Sequence, residues 1–130
     1  MANTTSDDIR VLLVDDHTTI LQTLRSALRP YPNIKVVGQA TDGEEALACV
    51  EHLSPQVVVM DINMGRMDGV TATRLIKAHY PQIAVIGLTI EQKDFQLHAM
   101  RTAGAREIIT KEKLAAELPG AIQRAVDRPA

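Results

Sequence analysis

Along this chain, short runs of apolar residues alternate with stretches in which apolar positions recur at helical spacing. Ile9–Val14 is an apolar run broken only by Arg10, and it predicts a first strand. Ile20, Leu24 and Leu28 then recur every four residues, predicting a helix over Thr19–Leu28 that Pro30 and Pro32 close. Lys35–Gln39 reads as a second strand. Asp42 offers an N-cap to a helix that carries Ala46, Leu47 and Val50 on one side. Val57–Met60 is wholly apolar, Gly69–His79 is helical up to Pro81, and Ala84–Leu88 is a fourth strand. A fourth helix over Asp94–Ala103 is expected to turn Phe95, Ala99 and Ala103 inward, with Gly104 as its stop. Ile108–Ile109 marks a short fifth strand. The remainder to Val126 is helical apart from Pro119–Gly120, where an interior proline costs about 3 kcal/mol; a kink, or a helix start near Pro119, is expected.

Strands apolar throughout, alternating with helices, indicate a parallel sheet covered on both faces. Five such units suit an α/β, flavodoxin-like doubly wound domain of five parallel strands in order 2-1-3-4-5 with five helices. The domain is placed at 9–126, between a loose segment at 1–8 and a tail at 127–130. Its 130 residues are enough for one core without covalent staples. With aromatics at 2%, that core rests on Val, Ile, Leu, Ala and Met.

A net charge of −2 provides no basic face for nucleic acid, so direct DNA binding by this domain is not expected. Cys49 is the single cysteine, which excludes an intrachain disulfide and a thiolate metal cluster. Met1–Arg10 holds Asp7 and Asp8 and no apolar core of the secretory kind, and no apolar run has membrane-spanning length. A cytoplasmic protein without a membrane partner is the expectation.

In folds of this type, ligands bind beyond the carboxyl ends of the strands. Strand 1 ends in Asp15–Asp16, strand 3 in Asp61 with Asn63 two residues later, strand 4 in Thr89, and strand 5 in Thr110–Lys111. Three carboxylates, a hydroxyl and an ammonium therefore converge on one sheet edge. Clustered carboxylates raise one another's pKa unless a cation lies between them. Hard oxygen donors of this kind suit Mg²⁺, which commonly bridges to phosphate. A carboxylate can also serve as nucleophile and form an aspartyl phosphate. The Lys111 ammonium and Thr89 hydroxyl would then help neutralise the transferring group. Any one of these residues alone reads as a turn former or a solvated charge; four strand ends in agreement do not.

The runs Val14-Asp15-Asp16-His17, Asp61-Ile62-Asn63-Met64, Met67-Asp68-Gly69, Leu88-Thr89 and Lys111 resemble the receiver domains of two-component response regulators. The likeness covers about Ile9 to Val126. Asp-Asp-His and the non-proline residue after Lys111 are most similar to the NarL-type subfamily. The resemblance implies that Asp61 is the phosphoacceptor. Asp15 and Asp16 would hold Mg²⁺ with Asp61 and the Asn63 backbone carbonyl, while Lys111 and Thr89 read the phosphoryl group. It further implies a sensor histidine kinase or phosphotransfer protein as donor, and a homodimer on phosphorylation. Such a protein is a regulatory phosphoacceptor that assists its own phosphotransfer, not an enzyme in the ordinary sense. The chain is then either a single-domain regulator or the receiver part of a longer one whose DNA-binding domain would follow Ala130.

Several positions depart from that family pattern. Gly65 replaces a usual proline and implies a looser loop. Ile90 stands where a small residue is common, and its bulk would narrow the entrance to the site. Ile108 occupies the usual place of a switch aromatic, and Glu112 removes the proline that often follows the lysine. Asn63 and Glu91, two residues after the acceptor and the switch threonine, could orient an attacking water, an effect that Ile90 opposes by excluding it. His17 is read as a loop residue beside the acids rather than a ligand. Met60, Met64 and Met67 are read as packing residues.

Two enzymatic or binding rivals fare worse. An aspartate-nucleophile phosphatase would commonly carry a second carboxylate where Asn63 stands. A flavodoxin would need a Ser/Thr/Gly phosphate loop where Asp15–Asp16 stand. Rossmann and P-loop glycine patterns are both absent. A phosphorylation-independent interaction module is the remaining alternative, favoured by Ile90 and Ile108 and opposed by the intact acidic set.

Overall fold

The computed structural model describes residues 8–90 and 93–127. The elements in chain order are β1 (Ile9–Val14), α1 (Thr18–Leu28), β2 (Ile34–Ala40), α2 (Gly43–Leu53), β3 (Val57–Asp61), α3 (Gly69–His79), β4 (Ala84–Thr89), α4 (Asp94–Ala103), β5 (Glu107–Thr110) and α5 (Leu114–Asp127), with a 3₁₀ turn at Lys111–Lys113. All four strand pairings are parallel, and the sheet order is β2-β1-β3-β4-β5, as the alternation predicts. The loose segment expected at 1–8 falls, up to residue 7, outside the described residues, as does the tail beyond Asp127.

Alternation within the strands divides the core in two, because successive side chains leave opposite faces of a sheet. Val11 and Leu13 join Val57, Val59, Ile86 and Leu88 on the face covered by α1 and α5. Leu12 and Val14 join Val58, Met60 and Val85 on the face covered by α2, α3 and α4. A sheet buried on both faces exposes its backbone carbonyls and N–H groups only at the strand ends and its two outer strands. The C-terminal ends of the central strands are thus the place where polar side chains can gather.

Two expectations are corrected. Helix α5 begins at Leu114, five residues ahead of Pro119, and runs on to Asp127, so it does not start near Pro119. Leu114, Leu118, Pro119, Ala121, Ile122 and Ala125 are all buried, and this apolar contact offsets the backbone bond that proline forfeits. In α4, Phe95 does not face inward; it is 69% exposed. The helix points Met100 at the sheet, and at 100° per residue Phe95 lies well round the cylinder from it. Ala99 and Ala103 are half-buried.

The loop between β3 and α3 is tied on several sides, although Gly65 within it meets nothing within 4 Å of an added Cβ. The Gly43 N–H donates to the Met67 carbonyl at 3.0 Å, and Arg66 pairs with Glu44 at 2.8 Å. Asp68 caps α3 by accepting the Thr71 N–H at 2.8 Å. Gly69 lies so close to β3 that an added Cβ would fall 2.1 Å from the Asp61 carbonyl oxygen. Gly69→Ala should therefore lower the unfolding free energy by about 1–3 kcal/mol, the range for overpacking against unyielding backbone. Gly65→Ala should change it by under about 0.5 kcal/mol. Urea unfolding of the two variants beside the parent checks the contrast, and equal effects would refute it.

Candidate functional site

Asp15 follows the last residue of β1, Asp61 ends β3, Thr89 ends β4, and Lys111 follows β5. All lie at the same edge of the sheet, because parallel strands place their carboxyl ends together. Asp15, Asp61 and Thr89 are at most 1% exposed, and the Lys111 side chain is 9% exposed. The Lys111 Nζ lies 2.8 Å from Asp15 Oδ2 and 3.4 Å from Asp61 Oδ1. One ammonium thus faces two buried carboxylates.

Each carboxylate is held differently. Asp15 Oδ1 accepts the His17 backbone N–H and meets the His17 ring Nδ1, both at 2.9 Å. The same ring nitrogen lies 3.0 Å from Asp16 Oδ1, and Asp16 is the more exposed of the pair. His17 therefore bridges the acidic pair from the N-cap position of α1, a contact that spacing alone did not reveal. Asp61 Oδ1 accepts the Asn63 backbone N–H at 3.2 Å. Asp61 Oδ2 is buried and has no hydrogen-bond partner among the described residues. A buried polar oxygen left without a partner is uncommon and marks a place for chemistry or an ion.

Electrostatics agree with the geometry. Burial, and after it the Asp15 carboxylate, push Asp61 up to about 6, against the opposing pull of Lys111 and the Asn63 N–H. Ligand atoms of Asp15, Asp16, His17 and Asp61 lie within 4.8 Å of one another, a group that fits a bound metal ion. With the Lys111 ammonium against the buried pair, a hard divalent cation would balance the remaining charge.

The other sequence-predicted positions surround this cluster. Asn63 is exposed, and its side-chain Oδ1 accepts a hydrogen bond from Gln96 Nε2 of α4 at 2.9 Å. Ile90 is 66% exposed beside Thr89. Ile108 is half-buried with Met100 in the core on the α2–α4 side, where Gly87 leaves room for both. Glu91 lies outside the described residues. Gln96 was not singled out from the sequence. The available signal was a polar residue four positions before Met100, on the line along which α4 meets the fold.

A buried acidic cluster with a lysine, at the carboxyl edge of a 2-1-3-4-5 sheet, is the arrangement of a receiver-type α/β fold. The model of the response regulator receiver domain matches residues 11–123, and the chain belongs to that family. It is 38% identical over 117 residues to the transcriptional regulatory protein LiaR of Bacillus subtilis, and 37% identical over 116 residues to the response regulator protein VraR of Staphylococcus aureus. Those alignments cover 90% and 89% of this chain but 56% of each relative, so the chain spans little more than half their length. Among solved structures, a LuxR-family response regulator from Aurantimonas is similar with TM-score 0.86 at 31% identity, covering 95% of this chain and 89% of that one. The receiver domain of Mycobacterium tuberculosis NarL shares the fold, with TM-score 0.88 at 23% identity over 93% of this chain and 98% of that one. The NarL-type resemblance agrees with these relatives. Membership makes this a regulatory domain of two-component signalling. No helix among the described residues is long and apolar enough to cross a membrane.

The raised Asp61 pKa carries a stability consequence. Between the ordinary carboxylate value and about 6 the folded protein binds a proton that the unfolded chain has released. Stability of the metal-free protein should therefore fall as pH rises across that window. Asp61→Asn should remove most of that fall and stabilise the metal-free protein near neutral pH by on the order of 1 kcal/mol. Thermal melts from pH 4 to 7 read both effects; an Asn variant less stable than the parent at pH 7 would contradict the assignment.

Proposed function

We propose that this domain is a phosphorylation-dependent switch that accepts a phosphoryl group on Asp61 from a phosphohistidine of a sensor kinase or phosphotransfer protein. The observation that carries the reading is the unpartnered, buried Oδ2 of Asp61 beside a lysine and two further carboxylates. In the transfer, an Asp61 oxygen bonds to phosphorus while the phosphorus–nitrogen bond of the donor breaks and its electron pair returns to the imidazole. Asp15, Asp16, Asp61 and the Asn63 backbone carbonyl would hold Mg²⁺, which when bound neutralises charge on the phosphoryl oxygens. Lys111 and Thr89 meet the remaining oxygens. The protein works in the cytoplasm, and the domain spans 9–126.

New charge on Asp61 draws Lys111, which follows β5, and Thr89, which ends β4, and so biases α4, β5 and α5. Glu107 and Arg124 link β5 to α5 at the surface through bonds of 2.8 and 2.9 Å. The half-buried Ile108, in place of an aromatic, couples to Met100 rather than to a ring that swings. Self-association on phosphorylation uses this face or α1, and an attached output domain would regulate transcription.

Incubation with acetyl phosphate and Mg²⁺ should label the parent with an acid-labile, hydroxylamine-sensitive phosphoryl group. Asp61→Asn and chelation of Mg²⁺ should each abolish it, whereas undiminished label on the Asn variant would sink the assignment and leave the interaction-module alternative.

Ile90 is exposed one residue past Thr89, and on this reading its branched side chain would restrict water and small donors alike. Ile90→Ala should speed both labelling and loss of label, and Glu91→Ala should change little. If Glu91→Ala slows hydrolysis several-fold and Ile90→Ala changes neither rate, water orientation outweighs steric restriction.

A further inference from the structure

Helix α4 has little apolar attachment: Met100 is its one buried residue. Its first turn instead carries a polar link to the site. Gln96, half-buried and three residues after Lys93, donates from Nε2 to Asn63 Oδ1 at 2.9 Å. Asn63 in turn donates its backbone N–H to Asp61 Oδ1. An unbroken chain of contacts therefore runs from the α4 side chain through the loop after β3 to the acceptor carboxylate.

We propose that Gln96 is a positioning residue that lengthens the life of the aspartyl phosphate by holding the Asn63 side-chain carbonyl on α4. The proposal rests on the phosphoacceptor reading of Asp61. Hydrolysis forms a bond between a water oxygen and phosphorus, breaks the phosphorus–oxygen bond to Asp61, returns that electron pair to the carboxylate and leaves both protons of the water on the released dihydrogen phosphate. The attacking lone pair must point at phosphorus while the water hydrogens point away, toward an acceptor. Oδ1 is the only acceptor on the Asn63 side chain, since its Nδ2 can only donate. With Oδ1 bonded to Gln96, the carboxamide is fixed with its accepting end turned to α4. Asn63 is then a poor guide for water although it stands two residues after the acceptor.

The polarity of the link supplies the test. Gln96→Leu removes the donor and frees Oδ1. Gln96→Glu keeps a hydrogen bond only if the Asn63 amide turns over and donates from Nδ2, which also frees Oδ1. Parent and variants are charged with radiolabelled acetyl phosphate and Mg²⁺, the donor is removed by desalting, and loss of label is followed. Both variants should lose label several-fold faster than the parent, and adding Asn63→Ala to either should erase the acceleration. A merely structural tether would instead make Gln96→Glu resemble the parent, and that outcome overturns the proposal. Lifetimes unchanged in both variants overturn it as well. If the parent itself takes no label, the phosphoacceptor reading fails, and this inference fails with it for a separate and visible reason.

Discussion

Two carboxylates, Asp15 and Asp61, are buried at the carboxyl edge of the sheet, and the Lys111 ammonium lies against both. Buried charge is tolerated only when it is paired, and here the pairing is incomplete by design of the fold. Lys111 sits closer to Asp15, which also receives two contacts from His17, so Asp15 is the better satisfied of the two. Asp61 keeps one oxygen without a partner and a pKa raised by burial. The fold thus retains a charge imbalance at a buried sheet edge, one that a divalent cation and a phosphoryl group are suited to complete.

The rest of the architecture keeps that imbalance in place. Central strands buried on both faces bring Asp15 and Asp61 to one edge without any freedom to separate. Around them, Gly43 and Gly69 let the loop after β3 pass within backbone contact of α2 and of β3 itself. A methyl group at Gly69 would push against the Asp61 carbonyl, and one at Gly43 against both the carbonyl and the side chain of Met67. The loop that follows the acceptor is therefore held closely even though its own middle, at Gly65, touches nothing.

Helix α4 contrasts with this. It contributes one buried side chain, Met100, whose sulfur also meets the Thr73 hydroxyl at 3.7 Å, and one polar contact to the site through Gln96. Phe95 and Ile90 stand exposed near its start. A helix with few apolar contacts moves at low cost, whereas α5 brings six buried residues and does not. The element best placed to respond to the site is thus also the one least committed to the core.

The sequence by itself determined the order of elements and pointed to a parallel sheet, because largely apolar strands alternating with helices are buried on both faces, while the strand order followed from the likeness to doubly wound folds. It also determined which residues stand at the carboxyl edge, since strand ends are local features and Asp15, Asp16, Asp61, Thr89 and Lys111 each follow an apolar run. Tertiary structure alone decided the facing of α4, because its few apolar residues support more than one inward direction and packing selected Met100 over Phe95. It alone kept Pro119 inside α5, where burial outweighs a local preference that sequence reasoning reads at face value. The His17 bridge and the Gln96–Asn63 bond were illegible for the same reason. Polar partners far apart in sequence, or set by rotamer rather than by spacing, have no periodic signature, and only the folded backbone brings Gln96 within 2.9 Å of a residue 33 positions away.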